Sequence, residues 1–112
     1  MQSKNFIFEK ELAWEPAGEG VMRQILGYDG HITMVKVKFE KGAKGAPHRH
    51  YHSQTTYIVS GRFRFSIDGE TQEVGPGDGL YMAPDVLHGC ECLEEGLLID
   101  CFTPVRGDFL GL

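Results

Sequence analysis

The 112-residue sequence has no run of 18 apolar residues and so offers no candidate for a transmembrane helix. It also has no surplus of positive charge. It contains 11 Lys and Arg and 16 Asp and Glu. The resulting net charge of −5, without a basic cluster, argues against nucleic acid as a partner. Cysteine is scarce, with three residues, and the N-terminus lacks the apolar segment of a secretory signal. We therefore predict a cytoplasmic protein with reduced thiols.

No segment shows a helical period of useful length, whereas alternation of apolar and polar residues is frequent. Val35, Val37 and Phe39 fall on one face of a β-branched run, and Asp68-Gly69 is a tight-turn signal between two such runs. The predicted strands are residues 21–27, 32–39, 62–67, 71–74, 80–83 and 97–103. Many short strands separated by turn residues predict an all-β sandwich or barrel, and the length predicts a single domain.

One segment concentrates side chains that bind metals. His48 and His50 are two residues apart, so a strand would point both to the same side. Gln54 follows after a short turn, and His88 would arrive from a distant strand. Imidazole is the commonest metal ligand, so the sequence predicts that His48, His50, Gln54 and His88 bind one divalent ion: nickel, zinc, manganese, iron or copper. His52 lies an even number of positions from His48 and His50, so a strand would point it to the same side. It could replace Gln54 as a ligand or lie at the mouth of the site.

These residues belong to two motifs that resemble those of the cupin family. The first consists of Gly42, His48, His50, Gln54 and Gly61, with Gln where the general pattern has Glu. The second consists of Gly77, Asp78, Pro84 and His88, with Val86 and Cys92 where Gly and Asn are usual. The resemblance implies one small cupin jelly roll over residues 1–112, with the metal inside. We predict that this domain divides into an N-terminal arm (1–20), a barrel (21–104) and a C-terminal tail (105–112).

A closer resemblance, to the KdgF-type cupins of pectin and alginate degradation, depends mainly on the end of the chain. The residues that carry it are His48, His50, His52, Ser53 and Gln54, the turn Val59-Ser60-Gly61, and the ending Leu98, Ile99, Asp100, Phe102, Thr103, Pro104, Arg106, Asp108, Phe109 and Leu110. The family resemblance implies an enzyme that converts 4,5-unsaturated monouronates, the products of polysaccharide lyases, into the linear 5-keto-4-deoxyuronate. By position it implies that Asp100, Phe102 and Arg106 are catalytic.

The implied chemistry suits these residue types. The carboxylate of Asp100 could move protons during ring opening, and the planar fork of Arg106 could hold the substrate carboxylate. Phe102 would form an apolar wall, and Leu98, two residues before Asp100, should face the interior.

Two other functions remain open from the sequence: a metal-dependent cupin dioxygenase acting on a small organic substrate, and a non-catalytic sugar-binding cupin. We also expect a homodimer, because small jelly rolls leave apolar faces to cover and the start of the chain carries Phe6, Phe8 and Trp14.

Overall fold

The computed structural model describes all residues, 1–112, and is built almost entirely of β-strands. The strands are β1 Glu15–Gly18, β2 Val21–Tyr28, β3 Thr33–Phe39, β4 Lys44–His48, β5 Ser53–Ile67, β6 Glu70–Val74, β7 Gly79–Met82 and β8 His88–Thr103. Short 3-10 turns lie at Glu9–Glu11 and Gly107–Leu110. The predicted all-β jelly roll is confirmed. None of the helical segments is of a length and apolarity that could cross a bilayer.

Two long bent strands join the two sides of the molecule. β5 and β8 are antiparallel partners from the Ser53–Thr103 pair to the Ile67–His88 pair, whereas the sequence pattern predicts only half of each strand. One half of this pair extends through β7 and β3, and the other half extends through β6 and β4. At the bend, a Cβ on Gly61 would lie 2.5 Å from the Glu95 carbonyl oxygen, so the chain requires glycine there.

The interior is filled by the inward faces predicted from alternation. Val35, Val37 and Phe63 are at most 9% exposed, and Leu98 is 2% exposed, as its position relative to Asp100 predicts. Burying side chains of this size contributes roughly 1.5–3 kcal/mol each, so this cluster stabilises the barrel that positions the site.

The tight turn at Asp68-Gly69 sets the register of the β5–β6 hairpin. Both residues have positive φ, 50° and 84°, which is typical of the two-residue turns that join twisted strands. The turn pairs Ile67 with Glu70 and, further along, Phe63 with Val74. This register keeps Phe63 and Val74 on the buried face.

The N-terminal segment packs on the outer side of β2 and β3. The Ser3 N–H donates to the Tyr28 carbonyl oxygen at 2.8 Å, and Lys36 Nζ lies 2.6 Å from a Glu9 carboxylate oxygen. The ammonium of Lys38 lies 4.3 Å from the centre of the Trp14 ring. Residues 1–20 also contain β1, which pairs with β2.

Candidate metal centre and active-site cavity

Three histidines converge beside the barrel cavity, where His48 is exposed, His50 is half-buried and His88 is buried. His48 ends β4, His50 lies in the turn after it, and His88 begins β8. Their candidate ligand atoms all lie within 4.8 Å of one another. The prediction that one strand carries both His48 and His50 is wrong, because β4 ends at His48. The chain turns there and still brings the two ring centres to 5.6 Å.

Backbone carbonyls set the orientation of these rings. Nδ1 of His48 lies 2.9 Å from the Ala46 carbonyl oxygen, and Nδ1 of His88 lies 2.9 Å from that of Val86. A carbonyl only accepts, so Nδ1 carries the proton and Nε2 presents a lone pair. Nε2 of His88 is buried and has no hydrogen-bond partner in the protein. Burial lowers the pKa of His50 and of His88, which favours the neutral, metal-binding form.

Gln54 directs its amide oxygen at this cluster. Its NH2 group donates to Thr56 Oγ1 and to Asp100 Oδ1, each at 3.1 Å, which leaves Oε1 at 2.9 Å from Nε2 of His50. The Nδ1 proton of His50 donates to the His52 carbonyl oxygen at 3.2 Å, so two lone pairs face each other. Two ligands about 2.1 Å from one ion and at right angles lie about 3 Å apart. The donor set therefore fits a divalent transition metal.

Asp100 lies beside the ligands on the inward face of β8. Its Oδ1 accepts hydrogen bonds from Thr56 Oγ1 at 2.6 Å and from Gln54 Nε2 at 3.1 Å. Burial raises the pKa of Asp100 to about 6, although both hydrogen bonds and the nearby Arg106 act in the opposite direction. A carboxyl group with this pKa can both accept and release a proton near neutral pH.

Phe102 and Arg106 lie next to each other at the end of β8. The Phe102 ring is 3% exposed, and its centre lies 5.7 Å from that of His50. The Arg106 guanidinium lies 4.7 Å above the Phe102 ring, and its side chain is 11% exposed. Nε and one terminal nitrogen of Arg106 donate to the two carboxylate oxygens of Asp108, at 2.9 and 2.7 Å. One bidentate edge of the predicted carboxylate-binding fork is therefore occupied by the protein itself.

His52 lies outside the ligand cluster, although its parity matches that of the other histidines. Its side chain is buried, and Nε2 lies 3.1 Å from the Val105 carbonyl oxygen. A hydrogen bond between these atoms ties the turn that carries His50 to the C-terminal tail. The structure thus gives His52 a contact that the sequence pattern does not suggest.

A cavity of about 260 Å³ connects the candidate ligands His48, Gln54 and His88 with Asp100, Phe102 and Arg106. Residues from most of the strands and from the tail line it: Ala17, Arg23, Val37, Phe39, Gly45, His48, Gln54, Phe65, His88, Gly89, Cys90, Leu98, Asp100, Phe102, Arg106 and Phe109. Sequence reasoning did not identify Thr56, Arg23 or Phe109 as part of the site. The strand alternation could have identified Thr56, two residues after Gln54, and Arg23, two residues after the buried Val21. Phe109 belongs to the ending that carries the family resemblance, but the strand alternation does not single it out.

A small jelly roll with a histidine cluster beside its cavity defines the class, and the chain belongs to the cupin family: the family model described as "Cupin domain" matches residues 35–99. The chain is 39% identical over 109 residues to the pectin degradation protein KdgF of Dickeya dadantii, covering 96% of this chain and 99% of that protein.

Two solved structures extend this likeness. One is an RmlC-like cupin from Shewanella frigidimarina, with 42% identity, a TM-score of 0.94, and coverage of 96% of this chain and 97% of the other. The other is KdgF from Halomonas sp., with 35% identity, a TM-score of 0.91, and coverage of 96% and 99%. Both comparisons span nearly the whole chain.

Proposed function

We propose that this protein is a metal-dependent enzyme of pectin or alginate degradation that converts 4,5-unsaturated monouronates into the linear 5-keto-4-deoxyuronate. The similarity to the pectin degradation protein supports the pathway. One observation carries the reaction: the carboxyl group of Asp100, whose pKa is raised to about 6, is hydrogen-bonded to Gln54, a candidate ligand of the metal. An acid–base group therefore lies beside the place where an ion would bind.

The reaction is an isomerisation, so a single acid–base group can complete it. Asp100 accepts the proton of the anomeric hydroxyl while the bond from C1 to the ring oxygen breaks, giving an aldehyde at C1 and an enolate at C5. The protonated Asp100 then donates its proton to C4, the enolate becomes the ketone, and Asp100 returns to its ionised form. General acid–base catalysis of this kind contributes roughly 10²- to 10⁴-fold in rate. A divalent ion held by His48, His50, Gln54 and His88 would supply Lewis-acid stabilisation of the developing negative charge.

The aromatic and cationic residues orient the substrate and exclude water. Phe102 presents an apolar ring beside His50, against which a sugar ring can pack. Arg106 contributes positive charge above that ring, with one terminal nitrogen not engaged by Asp108. An anionic substrate is drawn to this local field in spite of the net charge of −5.

The position of residue 54 next to Asp100 explains why an amide suits it better than a carboxylate. A glutamate there would bring a second carboxylate to about 3 Å from Asp100, where two negative charges repel and one is forced to protonate. The amide instead donates to Asp100 through its NH2 group and keeps its oxygen for the metal. A neutral ligand also leaves the full charge of the ion to act on an anionic substrate.

The direct test follows the loss of the conjugated-double-bond absorbance of unsaturated monouronates, with and without a chelator. Wild-type protein loaded with metal should remove the absorbance, and Asp100→Asn should lose at least a hundredfold in kcat while elemental analysis finds the same metal content. Asp29→Asn, which changes an exposed carboxylate outside the cavity, is the matched control. Wild-type rates in Asp100→Asn would contradict the mechanism, and oxygen uptake with a reduced metal would favour a dioxygenase instead. Tight sugar binding without turnover would favour a binding cupin.

A homodimer is part of the proposal, and the outer sheet face supports it. Met34 and Tyr81 stand at the ends of one cross-strand row that runs through Cys101 and Thr55, and Tyr57 stands in the next row. Met34, Tyr57 and Tyr81 are 39–63% exposed, and an apolar patch of this kind is typical of an interface. Light scattering should give twice the monomer mass of 12.5 kDa, and a monomer at micromolar concentration would contradict it.

The proposed location is the cytoplasm, and the state of the cysteines supports it. Cys90, Cys92 and Cys101 are free thiols, which a reducing compartment maintains. Burial raises the pKa of Cys90 to about 11, so its thiol stays protonated and unreactive beside the cavity.

A further inference from the structure

A charged side chain, that of Arg23, lies on the interior side of β2. In the β2–β3 register Arg23 stands directly opposite Val37, a core residue that is 9% exposed, so both side chains point to the same face. Arg23 also lines the cavity that contains His48 and Asp100. Charged residues are rarely placed on the inner face of a barrel unless they are paired or bind something, because desolvation is costly.

The hydrogen bonds of Arg23 leave much of its guanidinium free. Nε donates to a carboxylate oxygen of Glu15 at 2.7 Å, and this is its one side-chain hydrogen bond within the protein. A guanidinium has five N–H donors, and its two terminal nitrogens form an edge that matches a carboxylate. Arg106 differs, because its Nε and one terminal nitrogen already donate to Asp108.

Phe109 brings the two arginines together at the cavity. The guanidinium carbon of Arg23 lies 3.8 Å from the centre of the Phe109 ring, and that of Arg106 lies 3.9 Å from it. The two carbons are therefore at most 7.7 Å apart, the sum of these distances. Each cation has its own carboxylate partner, Glu15 or Asp108, which offsets their mutual repulsion. The tail thus positions two sets of guanidinium donors at one end of the cavity.

We propose that Arg23 is the residue that recognises the carboxylate of the substrate, through the free edge of its guanidinium, and that Arg106 assists with its remaining donors. The identity of the substrate as a uronate rests on the proposed function. Because of Arg23, the cavity binds a sugar acid more tightly than the neutral sugar. A strand near the start of the barrel, β2, thus carries the carboxylate-binding role that the sequence predicts for Arg106 alone.

The test compares Arg23→Gln and Arg23→Lys with wild type, all as full chains loaded with metal. Arg23→Gln should raise the KM for the unsaturated monouronate roughly tenfold or more and change kcat less than about threefold, because the lost contact is made in ground state and transition state alike. Arg23→Lys keeps the charge and loses the planar edge, so its KM should lie between the two. Arg64→Gln removes an arginine that pairs with Glu73 and Glu91 on the exposed side of β5 and serves as the matched control.

A second measurement is independent of turnover: calorimetric titration with galacturonate and with galactose. Wild type should prefer the acid, and Arg23→Gln should lose most of that preference while its unfolding temperature and metal content stay near those of wild type. Should Arg23→Gln fail to fold, Arg23→Lys carries the same comparison.

Turnover by wild type together with an unchanged KM and an unchanged acid preference in the variants would overturn the inference and leave the proposed reaction standing. A wild type that turns over no unsaturated uronate, yet binds galacturonate in an Arg23-dependent way, would overturn the reaction and support the inference. A wild type that does neither would overturn both.

Discussion

Replacing Thr56 with valine tests whether Asp100 is the titrating base. The Thr56 hydroxyl donates to Asp100 at 2.6 Å, and Thr56→Val keeps the branched shape while removing this donor. A hydrogen bond to a charged group contributes about 1.5–3 kcal/mol, and it favours the ionised carboxylate. One pKa unit corresponds to about 1.4 kcal/mol, so the loss should raise the pKa of Asp100 by roughly one to two units from its value of about 6.

The measurement is the pH dependence of kcat/KM, which reports ionisations of the free enzyme. A base is active only when it is ionised, so activity falls as pH drops through its pKa, and the acid limb of Thr56→Val should move to higher pH by one to two units. A bound cation lowers the pKa in both proteins and leaves the direction of the difference unchanged. Thr56→Ser retains the hydroxyl and should keep the limb in place. An acid limb of Thr56→Val that coincides with that of wild type would refute the assignment.

Three further predictions concern the metal, the amide ligand and the core. Chelation should abolish turnover and lower the unfolding temperature by several degrees, since an ion at a free concentration 100 times its Kd stabilises the folded protein by about 2.7 kcal/mol. Turnover by protein shown to be metal-free would contradict this prediction. Gln54→Glu should keep the metal and move the acid limb of the pH profile to higher pH, because a second carboxylate nearby favours protonation of Asp100. Elemental analysis and the pH profile of kcat/KM check this. An acid limb that does not move would count against the role given to Gln54. Leu98→Ala should lose about 2–5 kcal/mol in urea unfolding, whereas the 46% exposed Leu87→Ala should lose under about 1 kcal/mol; equal losses would show that Leu98 is not a core residue.

Local patterns were enough to predict the class of fold, because alternation has the same meaning wherever a sheet has one buried face. The inward positions Val35, Val37 and Leu98 follow from it directly. The continuity of β5 and β8 does not follow, since the bend at Gly61 interrupts the pattern where the backbones approach closely. His50 illustrates the opposite error, because the two-residue spacing that suggests a shared strand also fits a strand end followed by a turn.

What the sequence determined by itself was the inventory of chemical groups and the faces on which they stand: imidazoles, an amide, and a carboxyl group two residues from a core leucine. Only the tertiary structure decided which of these groups meet. The hydrogen bonds from Thr56 and Gln54 to Asp100 and the contact of Phe109 with Arg23 join residues 44 to 86 positions apart. The interaction of Phe109 with Arg106 is local, but its link to β2 is not. Such contacts depend on strand register and on how the tail returns to the barrel, and no spacing in the chain encodes either one locally.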